Sequence, residues 1–353
     1  MLSFPALHLT PSLLLDAGVG VSPALVLLGA MLLFDSYKLV NFSEVLMTLI
    51  IGGLLACAAY FANGALSDSL PMSFRQYAHE VAPLVEESLK AAGVLYLFAR
   101  NRIGFLIDAA TLGFALGAGF AVVENVYLLL IFQHGSLGLW ALRGFGTAIM
   151  HAGATALFAL MVQALIERRL APSALFALAA FLAPVALHAG FNWLEAAPLV
   201  STVLLLIILP PSFLAVFTKS EHGVHDWLVQ DYESHLHLLE DIKAGRFEHS
   251  AAGRFINRLS DRFPKATAAL IFEYVQLHTE LVTRAESIAL AREKGESLKG
   301  TKDDHARFRR LHALERKIGR TAMLVLWPHL HFSRRELWEL HEFELSLGKA
   351  AGR

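Results

Sequence analysis

Seven apolar stretches follow one another before Thr218, and they limit the fold more than any other feature of the chain. They run near Leu13–Phe34, Val45–Leu66, Ala78–Phe98, Phe105–Phe132, Leu142–Ile166, Ser173–Leu194 and Ala196–Phe217. Each is close to the ~20 residues that a helix needs to cross a bilayer. In lipid a backbone has to satisfy its own hydrogen bonds, so stretches of this length read as helices. With 55% hydrophobic residues and a mean hydropathy of +0.50, the 353-residue chain is too apolar for an ordinary soluble globule. The expected class is all-α: a polytopic transmembrane helical bundle of about seven spans, with a helical soluble C-terminal domain.

Charge is distributed unevenly. Of the 61 Asp, Glu, Lys and Arg residues, 42 lie in the 135 residues from Lys219 onward. The shift predicts a membrane domain over 1–218 and a water-exposed domain over 219–353. A net charge of −1 gives no electrostatic drive toward nucleic acid. The single cysteine, Cys57, excludes an intrachain disulfide and a cysteine-based zinc site. The first 30 residues contain no Lys or Arg, so the first stretch reads as a membrane helix rather than a secretory signal. Lys38, Arg100, Arg102, Arg168, Arg169 and Lys219 fall on one side of a seven-span layout, and only Arg75 and Arg143 on the other. The bias of Lys and Arg toward the cytoplasm then places the N-terminus outside a plasma membrane and the C-terminus inside.

Polar side chains within the stretches are the candidates for function. A charge at the centre of a bilayer costs at least about 2.5 kcal/mol, so such residues face a protein interior or a water-filled cavity. The third stretch carries Glu86, Glu87 and Lys90, the fourth Glu124 and Asn125, the fifth His151, and the sixth His188 and Asn192. A spacing of four puts Glu86 with Lys90, and His188 with Asn192, on one helix face. Counting inward from the outer ends at about 1.5 Å per residue, Glu86 and Glu124 lie ~12 Å deep, His151 ~13 Å and His188 ~10 Å. Four spans of alternating direction thus bring their polar residues to one level, in the outer half of the membrane. Pro83 lacks an N–H and is expected to kink the third span, leaving the His79 carbonyl unpaired and opening a water path to Glu86 and Glu87.

This set supplies the parts for hydrolysis. A carboxylate can act as general base on a water, and adjacent carboxylates can divide the roles of base and acid. Lys90 can pair with one of them, while Asn192 and a histidine can donate to the oxyanion of a tetrahedral intermediate. Equally, Glu87, Glu124, His151 and His188 offer oxygen and nitrogen ligands to a divalent metal such as zinc. The reading favours water activation by glutamate, because no two of these histidines share a helix in the compact spacing of common zinc proteases. Which of Glu86 and Glu87 is the base stays open. Arg143 reads as an interfacial anchor, and Asp16 and Asp108 as groups near span ends that reach the interface. Gly113, Gly117 and Ala121 give a small-xxx-small spacing for close helix approach.

In combination these motifs resemble the PrsW family of intramembrane proteases. Its Glu-Glu-x-x-Lys motif is matched by Glu86, Glu87 and Lys90, and its Phe-x-x-x-Glu-Asn by Phe120, Glu124 and Asn125. An Arg followed by a His matches Arg143 and His151, and a final His-x-x-x-Asn matches His188 and Asn192. The likeness covers about residues 75–195. More distantly the chain is similar to the CAAX prenyl protease superfamily, whose Arg and second-motif His are here Lys90 and Glu124, which argues against prenylated substrates. The resemblance implies proteolysis of membrane-embedded or membrane-proximal segments, such as single-span anti-sigma factors, near the outer face. It implies a glutamic or a metal-dependent mechanism carried by Glu86, Glu87, Lys90, Glu124, Asn125, His151, His188 and Asn192.

Two other functions use similar residues. A proton-coupled transporter also places carboxylates, Lys and His in the membrane, but it is expected to show an inverted repeat of broken helices, and none is evident. A non-catalytic scaffold has no need of the complete polar set. The region from Glu221 reads as mostly helical and open to a cytoplasmic partner. It has apolar stripes at Leu236, Leu239 and Ile242, and from Ala269 through Phe272, Gln276 and Thr279 into Leu281. Gly295 to Lys302 reads as a loop, and Ser333 with Glu336 as a capping box. The pairs His235/His237 and His329/His331 read as solvated surface.

Overall fold

The fourth apolar stretch forms the helix around which the membrane unit is assembled. In the computed structural model the described residues are 10–34, 40–132, 135–167, 174–194, 197–244, 246, 265–294, 296, 298, 300–319, 323 and 334–351. Regular structure among them is helical: α1 Pro11–Phe34, α2 Phe42–Ser69, α3 Phe74–Glu80, α4 Ala82–Ala99, α5 Leu106–Ile131, α6 Leu137–Leu142, a π-helical segment Arg143–Ala148, α7 Ile149–Glu167, α8 Ala174–Trp193, α9 Pro198–Lys243, α10 Lys265–Glu293, α11 Lys302–Ile318 and α12 Arg334–Ala351. Their packing divides the chain into two units, Met1–Ser220 and Glu221–Arg353.

Six helices among the described residues are long and apolar enough to cross a membrane: Pro11–Leu33, Phe42–Ser69, Leu106–Ile131, Leu137–Glu167, Leu175–Trp193 and Pro198–Val216. The protein is an integral membrane protein built as a helical bundle. The expected third span is the element that departs from this pattern. It is divided at Val81 into α3 and the 18-residue α4, and α4 carries Glu86, Glu87 and Lys90. The kink expected at Pro83 is therefore a break two residues earlier, with the proline in the first turn of α4, where its missing N–H costs least. The fifth span also differs from expectation. It starts at Leu137 and contains the π-helical segment, a wider turn that a 3.6-residue period does not signal.

α5 packs against α1, α2 and α7. Glycines let the backbones approach. A Cβ on Gly117 would overlap the His151 carbonyl of α7, and one on Gly119 the Leu49 carbonyl of α2. Such close contact matters in lipid, where apolar burial alone does not drive helices together. The outer surfaces of α2, α8 and α9 expose Phe42, Ile50, Phe61, Leu175, Leu199 and Ile207, as a bilayer requires. At the end of the unit that holds the start of α2 and of α5, Arg102 pairs with Glu44, and Gln163 Nε2 donates to the Gly104 carbonyl at 2.7 Å. Asp16 and Asp108 face protein rather than surroundings. Both are buried, and Asp108 accepts from the Gly104 and Phe105 amides at 2.9 and 3.0 Å, capping α5.

The second unit has its own core, with Ile271, Tyr274 and Leu281 of α10 against Phe308 and Leu314 of α11 and Phe343 and Leu347 of α12. Leu239 and Ile242 join it, whereas Leu236 of the same stripe is exposed. α11 opens at Thr301 with a capping box to Asp304. Ser333, His329 and His331 lie outside the described residues. His237 is solvated as expected, but His235 is mostly buried, with Nδ1 2.9 Å from Glu286.

Candidate active site

Four helices bring the polar residues of the apolar stretches into one cluster. Lys90 is fully buried and is its inner anchor. Its Nζ donates to Glu87 Oε1 at 2.6 Å and to His151 Nδ1 at 3.0 Å, and lies 4.7 Å from the centre of the Phe120 ring. The charge is thus neutralised by Glu87, three residues away on α4, and by contact with an aromatic face. The remaining contact of Glu87 Oε1 is with His188 Nδ1, at 2.8 Å. Glu87 is therefore enclosed between a lysine and a histidine, with a side chain only 2% exposed.

That bond turns the His188 ring. Its Nε2 points toward Glu86, whose Oε2 is 3.9 Å away. The rings of His188 and His151 meet edge to face with centres 4.7 Å apart. On the other side His151 Nε2 lies 2.7 Å from Glu124 Oε2. Glu124 Oε1 accepts from Arg143 Nη2 at 2.7 Å, and Arg143 Nε donates to Asn125 Oδ1 at 2.8 Å. Asn125 Nδ2 in turn donates to the Gly20 carbonyl of α1 at 2.8 Å. Arg143 is thus no lone anchor: as the first residue of the π-helical segment it grips two consecutive residues of α5.

The eight expected residues do not all face the cluster. Asn192 Nδ2 donates to the Ala78 carbonyl at 3.0 Å, next to the break between α3 and α4. It ties α8 to α3. Asn125 is likewise engaged with Arg143 and Gly20. Two residues absent from the motif set reach Glu86. Asn63 of α2 donates to Glu86 Oε1 at 3.0 Å, and Tyr77 of α3 donates to Asn63 Oδ1 at 2.9 Å. Their signal in the sequence was faint: Asn63 is the lone amide in the second stretch, and Tyr77 precedes the third.

Accessibility separates the three carboxylates. The side chains of Glu124 and Glu86 are 29% and 16% exposed, against 2% for Glu87. Glu86 and Glu124 can meet a water or a peptide, and Glu87 cannot. One donor atom each from Glu86, His151 and His188 lie within 4.8 Å of one another. Glu86, rather than the expected Glu87, joins the histidines in this set. Glu124 Oε2 is buried against His151 Nε2, the ring nitrogen that carries the proton once Lys90 donates to Nδ1. Two imidazoles and a carboxylate, with the Glu124 carboxylate alongside, fit a divalent cation. Two histidines with one glutamate is also a ligand set of catalytic zinc.

The model of a family described as PrsW family intramembrane metalloprotease matches residues 41–216. Comparisons with curated proteins and with solved structures gave no match.

Proposed function

This chain belongs, through its membrane unit, to the PrsW family of intramembrane metalloproteases, and we propose that it is an endopeptidase whose reacting centre is formed by Glu86, His151 and His188. The observation that carries this reading is the meeting of those three side chains from α4, α7 and α8. A metal site does not require a compact histidine pair on a single helix. Three helices supply the ligands here. Glu86, His151 and His188 would hold the ion, with zinc the best match to the donors. When bound, such an ion acidifies water and polarises a carbonyl.

The protein's own groups divide the remaining work. Glu87 accepts from His188 Nδ1 and so leaves Nε2 facing Glu86, as a carboxylate behind a ligating histidine does. Lys90 keeps Glu87 paired and the His151 ring in place. With Glu86 in the ligand set, Glu124 is the accessible carboxylate left to take a proton from the attacking water and return it to the leaving amide nitrogen. The substrate is a membrane-protein segment presented near the outer face, and the C-terminal unit is cytoplasmic and open to a partner. The reading is tested by reconstituting the purified chain with single-span membrane proteins and following cleavage. His188→Ala is expected to reduce turnover at least about 10²-fold, with the protein still inserted and folded. Undiminished cleavage by that variant would overturn the assignment.

A further inference from the structure

Glu86 stands beside the ionised Glu87 and opposite a second accessible carboxylate, so its orientation needs a holder of its own. Lys90 does not fill that role, since its bonds go to Glu87 and His151. The holder comes from two helices outside the family's motifs. Asn63 Nδ2 donates to Glu86 Oε1, and Tyr77, itself only 3% exposed, donates its hydroxyl to Asn63 Oδ1. The two bonds fix each other's direction. With the phenol donating, the amide oxygen faces Tyr77 and its N–H groups face the carboxylate. The flipped amide would set oxygen against oxygen at Glu86.

We propose that Asn63 and Tyr77 are positioning residues for Glu86: a neutral hydrogen-bond chain from α3 through α2 that holds Oε1 and leaves Oε2 directed at His188. The inference rests on the reading of Glu86 as a reacting group. A neutral holder has a clear chemical advantage over a lysine or arginine there. It orients the carboxylate without placing on it a counter-charge that would compete with the water or the ion. The chain also links the site to α3, the short helix at the break, which Asn192 ties to α8 from the other side.

The test is steady-state cleavage of a single-span substrate by the full-length chain, with Glu86→Gln assayed alongside. Asn63→Ala is expected to lower kcat about 10- to 100-fold, the scale of a misplaced reacting group, with KM unchanged within about twofold because Asn63 does not meet substrate. Tyr77→Phe keeps the ring and its packing, and is expected to lower kcat about threefold, the worth of one neutral hydrogen bond. The double variant is expected to be no worse than Asn63→Ala, because Tyr77 acts through Asn63. A purely structural role would instead give additive losses and a lower melting temperature without a selective fall in kcat. Inactive Glu86→Gln with fully active Asn63→Ala and Tyr77→Phe would overturn the positioning role alone. Fully active Glu86→Gln would overturn the reading of the site on which it rests.

Discussion

At the scale of single residues, two near neighbours on one helix have opposite duties. Glu87 is sealed between Lys90 and His188, while Glu86 keeps an open oxygen and a neutral partner. Removing one member of a buried ion pair leaves an uncompensated charge, typically at a cost of about 3–5 kcal/mol. Lys90→Met is therefore expected to lower the melting temperature in detergent sharply. The double variant Glu87→Gln/Lys90→Met removes both charges and is expected to recover most of that stability. It will not recover activity, because His188 has lost the carboxylate behind its Nδ1. Recovery of both would show that the pair serves packing alone. Arg143→Lys keeps the charge but cannot reach Glu124 and Asn125 together. A loss of turnover on the order of 10-fold or more is expected from the shift of Glu124, and an unchanged rate would return Arg143 to the role of interfacial anchor.

At the scale of helices, the site depends on how closely α5 and α7 approach. Gly117 carries no chemistry, yet a side chain there would strike the His151 carbonyl. Gly117→Val is expected to abolish cleavage by displacing His151. Gly190→Ala, between His188 and Asn192 but facing open space, is expected to retain it. Equal activity in the two variants would refute this account of the packing. These helices also explain what could be read from the chain beforehand. Glu86, Glu124, His151 and His188 were legible because a charge or an imidazole in an apolar run has few tolerable places, and topology brought them to one depth. The π-helical segment at Arg143 was not, since hydrophobic periodicity carries no mark for one added residue in a turn. Asn63 and Tyr77 were missed for another reason: an amide in a span and a tyrosine near its end are ordinary packing residues until a third helix supplies their acceptor. Asn192 shows the reverse, a motif residue whose amide closes a helix break.

At the scale of the whole molecule, two units answer to different physics. The second is a helical unit whose α10 buries His278 at 1% exposure. Burial, with His235 nearby, depresses the pKa of His278 from 6.5 to about 3. The unfolded chain therefore binds a proton that the folded unit refuses. His278 contributes full stability above pH 6.5, and this is lost as pH falls toward about 3, at up to about 1.4 kcal/mol per pH unit. Hydrogen exchange in α10 of the full chain is expected to quicken over that window, and His278→Phe is expected to flatten the dependence. An unchanged slope would contradict the assignment. For the membrane unit, the central claim is that Glu86, His151 and His188 form one hydrolytic centre. Its most direct test is zinc content and cleavage measured together, on wild type and Glu86→Gln reconstituted with a single-span substrate, before and after chelation. The account predicts that wild type cleaves, stops on chelation and recovers with zinc, while Glu86→Gln binds less zinc and does not cleave. Cleavage by Glu86→Gln at the wild-type rate would contradict it.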